Sequence, residues 1–242
     1  MIADARFDVR RYASLPSTMD AASALAHDGA RHGVVIVADE QTAGRGRRGA
    51  AWQSPAGAGL YFSFIARPRD AAAVSLLTLA AGVAVRDGIQ RASGLAADLK
   101  WPNDLIVGRR KLAGILAEGV AIGSREAAVI IGVGVNLQPA AYPPDVAARA
   151  TSIEGELGRA IDREQLFGDI LISLWDRLAA LEQNPGDILQ AWRAASPNAS
   201  GTRVEWDGKH GVTAGIDDGG ALLVKTNAGM ERIIAGELRW IL

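Results

Sequence analysis

The 242-residue sequence contains no cysteine and only three histidines. Without cysteine there are no disulfides, no thiol nucleophile, no Cys-ligated zinc and no iron–sulfur cluster. The histidines, His27, His32 and His210, are scattered, and none stands four residues from another. They are expected to be solvated or incidental, not metal ligands. No apolar run reaches the ~18–20 residues that span a bilayer. The N-terminal segment MIADARFDVRRY lacks the apolar core of a secretory signal. A soluble cytoplasmic protein without a membrane partner is therefore expected. The formal net charge is -1, so there is no overall basic surplus to hold nucleic acid, and any anion site has to be local.

The apolar fraction, 49%, suffices for a buried core, and the length allows one large domain plus a small one. Ser17–Ala30 is rich in alanine behind a Ser17 or Thr18 cap and predicts a helix. Residues 33–38 (GVVIVA) predict a buried strand, and 60–66 (LYFSFIA) an alternating one. Residues 71–91 predict a long apolar helix. Residues 98–107 predict a strand interrupted at Pro102, with a turn at Asn103-Asp104 and a returning strand. Two more strands, 111–118 and 127–135, should be joined by a turn near 122–125. The stripe Leu166, Phe167, Ile170, Leu171, Leu174, Trp175, Leu178 and Leu181 marks residues 162–181 as a helix with a core face. After the break Asn184-Pro185-Gly186, a short helix is predicted over 188–195. Ser196–Gly201 reads as a linker, and beyond it short strands alternate with turn signals at Asp207-Gly208, Asp217–Gly220 and Asn227–Gly229.

Gly44-Arg45-Gly46-Arg47-Arg48-Gly49 fits the dinucleotide pattern G-x-G-x-x-G letter for letter. That pattern requires a helix opening from it, and the following AAWQSPAGAGLY contains Pro55, Gly57 and Gly59. No Gly-Lys-[Ser/Thr] follows either, so a P-loop is excluded. What remains is a pliable backbone carrying three guanidiniums, a composition suited to folding around a polyanion. Trp52 is placed to stack on a flat base or simply to pack. Lys100-Trp101-Pro102-Asn103-Asp104 sets a lysine among apolar neighbours before a polar turn. In Lys111–Leu116 (KLAGIL) a lysine opens an apolar strand, and Gly114 leaves its face bare. Gly132-Val133-Gly134-Val135-Asn136 leaves a second strand bare in the same way.

Together these segments resemble the biotin–protein ligase family, from about Leu15 to the C-terminus. Residues 40–49 look like its biotin- and adenylate-binding loop. KWPNDL and KLAGIL look like its two other signatures, and GVGVN is similar to its glycine-asparagine strand. The resemblance implies an α+β fold: a mixed sheet flanked by helices, like class II aminoacyl-tRNA synthetases and biotin–lipoate ligases, with a small C-terminal SH3-like β-barrel. Residues 1–195 would form the catalytic domain and 196–242 the SH3-like domain, with Gly215-Ile216-Asp217, Gly220 and Gly236-Glu237 as its markers.

The implied activity is ATP-dependent ligation of biotin to a lysine of a biotin carboxyl carrier protein, through biotinyl-5'-AMP. Ser17, Thr18 and Gln41 would bind biotin's ureido ring. Gly44, Arg45, Gly114, Leu116, Gly132 and Gly134 would line its pocket. Arg47 and Arg48 would hold ATP phosphates, with Mg²⁺ carried on those phosphates. Lys111 would sit between the biotin carboxylate and the α-phosphate. Trp52 would pack on adenine, Asn103 and Asn136 would contact the nucleotide or its metal, and Asp104 would face the incoming lysine. Lys111, Asp104, Arg47 and Arg48 form the implied catalytic set. The loop at 44–49 is expected to order around ligand.

Two departures stand out. Met19-Asp20 follows the Ser-Thr pair where the family usually has Asn, and Ala50 replaces a frequent basic residue. Some family members carry an N-terminal DNA-binding winged helix; the resemblance begins here at about Leu15, only about fourteen residues in, so no repressor function and no DNA partner are expected. A homodimer remains open.

Overall fold

In the computed structural model, residues 4–70, 74–121, 127–139, 144–236 and 238–241 are described. Seven strands form one sheet: β1 (Asp8–Leu15), β2 (Val34–Gln41), β3 (Gly59–Ala66), β4 (Asp98–Lys100), β5 (Asp104–Val107), β6 (Arg110–Val120) and β7 (Ala128–Asn136). Their order is β1-β2-β3-β7-β6-β5-β4. Only β1 and β2 run parallel, and every other adjacent pair is antiparallel, so the sheet is mixed as expected. Helices α1 (Thr18–His27), α2 (Leu77–Ser93), α3 (Arg163–Gln183) and α4 (Pro185–Ala194) cover it.

The alternation of strand side chains divides the interior into two cores. Val35, Val37, Phe62, Phe64, Val129, Ile131, Val133 and Val135 pack with the stripe of α3 and the buried face of α2. Ile36, Ile65 and Ile130 point the other way, toward Met19, Ala22 and Ala26 of α1. The α3 stripe is buried as its spacing predicts, except that Trp175 is only partly covered. Asp162 caps this helix through its carboxylate, which accepts from the Glu164 and Gln165 amides at 2.8 and 3.1 Å.

Several expectations need correction. β1 was not foreseen. Its sequence DVRRYASL is half exposed, as suits a sheet edge, and so lacks an apolar signature. Ser17 occupies the cap position of α1, but neither its side chain nor that of Thr18 caps the helix. The break at Asn184 is a single residue, because Pro185 is accepted in the first turn of α4, where its missing N–H costs nothing. His32 is half-buried and packed, not a free surface ring. Its ring packs edge-on against Phe64 and Trp175 with centroids 5.2 and 4.8 Å away, and its Nδ1 accepts from the Arg67 amide. The predicted turn near 122–125 falls outside the described residues, as do the first three residues of the predicted helix 71–91.

Five C-terminal strands, β8 (Ser200–Trp206), β9 (Lys209–Ile216), β10 (Leu222–Thr226), β11 (Gly229–Ile233) and β12 (Arg239–Trp240), form an antiparallel sheet ordered β11-β10-β9-β8-β12. The edge strands β11 and β12 share no ladder among the described residues. Asp207 and Gly208 join β8 to β9 with φ of 46° and 75°, the left-handed pair that tight hairpins favour.

The predicted linker is pinned. Ser196 Oγ donates to the Leu99 carbonyl at 2.7 Å, and the Leu99 amide donates to the Ala195 carbonyl at 2.7 Å. Trp101 Nε1 donates to the Gly220 carbonyl at 3.0 Å. The KWPNDL turn is thereby fixed to both sheets.

Candidate active site

On the α1 side of the large sheet, α1 covers one part and stops short of the rest. Where it stops, β6 and β7 present Gly114, Gly132 and Gly134. Gly114 pairs with Gly134 across the ladder, and Gly132 pairs with Leu116 on one side and Ser63 on the other. Three neighbouring positions without side chains form a floor of backbone on which Trp52 and Met19 rest directly. Above it lies a cavity of about 520 Å³, walled by the glycine-arginine loop, the N-terminus of α1, KWPNDL, Lys111, and Gly236 and Leu238 from the C-terminal region. That volume lies in the range of small-molecule sites.

At the α1 end, Gln41 Oε1 accepts from Thr18 N at 2.9 Å and from Thr18 Oγ1 at 3.1 Å, while its Nε2 donates to Ser54 Oγ at 2.9 Å. Thr18 Oγ1 and Ser63 Oγ share a further bond of 2.8 Å. Gly44 is required beside this network, since a Cβ there would lie 2.6 Å from the Trp52 carbonyl. Ser17 does not line the cavity, and its hydroxyl is buried without a hydrogen-bond partner among the described residues.

The loop turns through a short 3-10 segment, Arg47–Gly49, with Arg48 at φ 55°. No helix follows it before β3, which agrees with rejecting the dinucleotide motif. Arg45 pairs with Asp20 at 2.7 Å and Glu118 at 3.2 Å. Asp20 is thus committed to the loop. Arg47 Nη1 reaches Asn103 Oδ1 at 3.4 Å and the Gly236 carbonyl at 3.5 Å. Burial pulls its pKa below the ordinary arginine value, Asp104 opposes that, and the charge of Arg48 adds to it. The guanidinium stays charged, and a bound anion would offset what burial costs it.

Lys111 Nζ stands 2.6 Å from Asp104 Oδ1 and 5.1 Å from the centroid of the Trp52 ring. A register shift between Leu105 and Ile106 in the β5–β6 ladder places Ile106 opposite Lys111 while Asp104 pairs with Gly114. Such irregularities re-aim side chains, and here one brings the lysine back over Gly114 toward the carboxylate. The Lys111 backbone is held by the Arg149 carbonyl and the Thr151 amide.

The structure brings together Thr18, Gln41, Arg45, Arg47, Arg48, Trp52, Asn103, Asp104, Lys111, Gly114, Leu116, Gly132 and Gly134 in one wall. Asn136 stands apart. It is buried, and its Nδ2 donates to the Thr151 carbonyl at 2.9 Å and the Lys111 carbonyl at 3.3 Å. Trp52 lies against Gly134 and Gly114: a Cβ on either would come within 2.5 or 2.9 Å of the indole. Lys100 meets Trp240, its ammonium 4.7 Å from the ring centroid. Sequence reasoning gave no role to Ser54, Ser63 or Leu238, and it marked Met19 only as a departure from the family's usual asparagine. The polar Ser63 inside LYFSFIA was the available signal for the first core's opposite face.

Residues 12–136 match the biotin/lipoate A/B protein ligase family, and residues 207–238 match the biotin protein ligase C-terminal domain. The chain belongs to this ligase family. The Bacillus subtilis bifunctional ligase/repressor BirA is 36% identical over 231 residues, covering 93% of this chain and 71% of that protein. A Paracoccus denitrificans biotin–[acetyl-CoA-carboxylase] ligase is 38% identical over 220 residues, covering 84% of this chain and 88% of its own. The Aquifex aeolicus biotin protein ligase in complex with biotin and ATP superposes with a TM-score of 0.83 at 26% identity, covering 97% of this chain and 98% of that one. The segments that carry the resemblance, the glycine-arginine loop, KWPNDL and KLAGIL, meet around the cavity.

Proposed function

We infer that this chain is a ligase that activates biotin with ATP as biotinyl-5'-AMP and passes the biotinyl group to a lysine of a biotin carboxyl carrier protein or domain. The observation that carries this is the Lys111–Asp104 pair, set between the glycine floor, on which Trp52 and Met19 rest, and the arginines of the loop. A floor of backbone, indole and thioether suits a flat, uncharged ring system. Cations beside it suit the carboxylate and phosphates that must meet.

In the first step a carboxylate oxygen of biotin bonds to the α-phosphorus, and the bond to the bridging oxygen breaks, releasing pyrophosphate. Negative charge grows on phosphate oxygens, where Lys111, Arg47 and Arg48 stabilise it from fixed positions. Arrival of these anions exchanges Lys111's partner and frees Asp104. In the second step the carrier lysine attacks the acyl carbon and AMP leaves. A lysine has a pKa of about 10.4, so it must shed a proton; Asp104 orients its ammonium and accepts that proton. Trp52 packs between the ring floor and adenine, and Asn103 contacts the nucleotide.

Mg²⁺ would arrive on the ATP phosphates. No three acidic or histidine side chains cluster among the described residues, so phosphate oxygens would supply most of its ligands. Asn103 and Asp104 are the oxygen donors in the wall beside the arginines. Bound there, it would add charge stabilisation to the first step. Residues 1–195 are proposed as the catalytic unit and 196–242 as the C-terminal domain. Among the described residues no helix is long and apolar enough to cross a membrane, and a cytoplasmic location is part of the same proposal.

The test is exchange of labelled pyrophosphate into ATP with biotin, lipoate or octanoate. Exchange with biotin alone is expected. Exchange with lipoate instead would move the chain to the other branch of the family.

A further inference from the structure

The end of the cavity beside α1 has two unlike edges. One is polar, with Thr18 and Gln41 in the wall and Ser54 and Ser63 behind them. The other is the thioether of Met19. This side chain is 4% exposed and lines the cavity. It rests directly on Gly132, where a Cβ would come within 2.5 Å of its sulfur. Gly132 is the ladder partner of Ser63, so the polar and apolar edges stand side by side. Met19 offers no strong donor or acceptor, only a soft, polarisable surface.

The geometry points to Met19 as a specificity-determining residue for the acyl acid: it forms the apolar end wall that recognises the sulfur-bearing edge of a ring whose opposite edge is polar. This rests on the biotin assignment. Biotin has such a ring, with a urea along one edge and a thioether along the other. Desthiobiotin keeps the urea and lacks the sulfur-closed ring. The bare floor at Gly132 lets the Met19 thioether lie flat enough to serve as this wall. Gly132 and Met19 therefore act as a pair, and a methyl on the floor would push the sulfur into the space the ring needs. A polar residue in place of Met19 would leave the polar edge intact and remove the apolar one. Apolar walls discriminate by contact: one methylene gained or lost in such a pocket changes specificity by roughly 10–200-fold.

The experiment measures pyrophosphate exchange with biotin and with desthiobiotin on the full chain and on Met19→Ala, Met19→Leu and Gly132→Ala. In Met19→Ala the preference for biotin over desthiobiotin is expected to fall about tenfold, mainly through the KM for biotin, while the KM for ATP moves less than about twofold. Met19→Leu, close in volume, should keep most of the preference. Gly132→Ala should raise the KM for biotin in the same way. If Met19→Ala does not fold, shown by loss of a cooperative thermal transition, Gly132→Ala against Met19→Leu carries the test. A preference within about twofold of wild type in both Met19→Ala and Gly132→Ala would overturn the proposal. Failure of the biotin assignment would show in the wild-type chain alone, as exchange with a different acid.

Discussion

Strand β7 carries the whole contrast between the two faces of the large sheet. Its odd residues, Val129, Ile131, Val133 and Val135, enter the core under α2 and α3. Its even residues, Ala128, Ile130, Gly132, Gly134 and Asn136, face the other way. There Ile130 meets α1, the glycines floor the cavity, and Asn136 holds the Lys111 and Thr151 carbonyls. One backbone thus serves stability on one side and chemistry on the other. β-branched side chains make the first face, and their omission makes the second. Substitutions on the open face should change rates more than stability, and those on the covered face the reverse.

The largest effect belongs to the group at the centre of the open face. Lys111→Ala should reduce pyrophosphate exchange by about 10²–10³-fold, the usual cost of losing one fixed group that stabilises developing charge. Its melting temperature should change little, since Lys111 is partly exposed and pairs with one carboxylate. Asp104→Ala comes next. Transfer to carrier should fall by about 10²-fold, at least as much as exchange does. Normal transfer by this variant would sink the role assigned to Asp104.

A paired substitution on β7 tests the contrast directly. Gly134→Ala puts a methyl 2.5 Å from the Trp52 indole, so the ring must move. A displacement near 1 Å can cost ~10²-fold in rate, with the fold retained. Ile131→Ala, three residues earlier on the covered face, should cost about 2–5 kcal/mol of stability and leave the KM for biotin near wild type. Denaturant midpoints and exchange kinetics on both proteins decide it. Equal loss of stability in the two would erase the distinction between the faces.

How much of this was legible in sequence follows from the same contrast. The glycines in KLAGIL and GVGVN announce themselves because few packing arguments favour such residues in strands, and the arginines of the loop because clustered like charges repel without an anion. The α3 stripe is equally plain, since its period is long and unbroken. β1 was invisible because an edge strand answers to solvent as much as to core, and DVRRYASL carries three charges in eight residues. The place of Trp52 over Gly114 and Gly134 was not legible either. It depends on how a loop folds back across a sheet, and no local pattern encodes that. Nor did the sequence tell that Asp20 would be spent on Arg45, because the partners lie 25 residues apart.

The smallest effect concerns the covered face and a histidine that its spacing alone left incidental. His32 packs on Phe64 and Trp175, and burial is the main cause that lowers its pKa below 6.5; Arg31 and Arg69 add to this, and Glu182 opposes them. Its Nδ1 accepts from the Arg67 amide, a bond that protonation at that nitrogen would break. In the unfolded chain the ring takes up a proton near pH 6.5, and in the folded chain only at lower pH. The unfolded state therefore binds more protons between those two values. The stabilising contribution of neutral His32 is present above pH 6.5 and declines as pH falls from there toward the folded value, below which it is gone. His32→Phe, which cannot be protonated, should flatten that part of the stability profile while leaving pyrophosphate exchange near wild type. Chemical unfolding between pH 5 and 8 on both proteins reads the difference. An unchanged slope would mean that this ring, though packed on the covered face, titrates as if it were on neither.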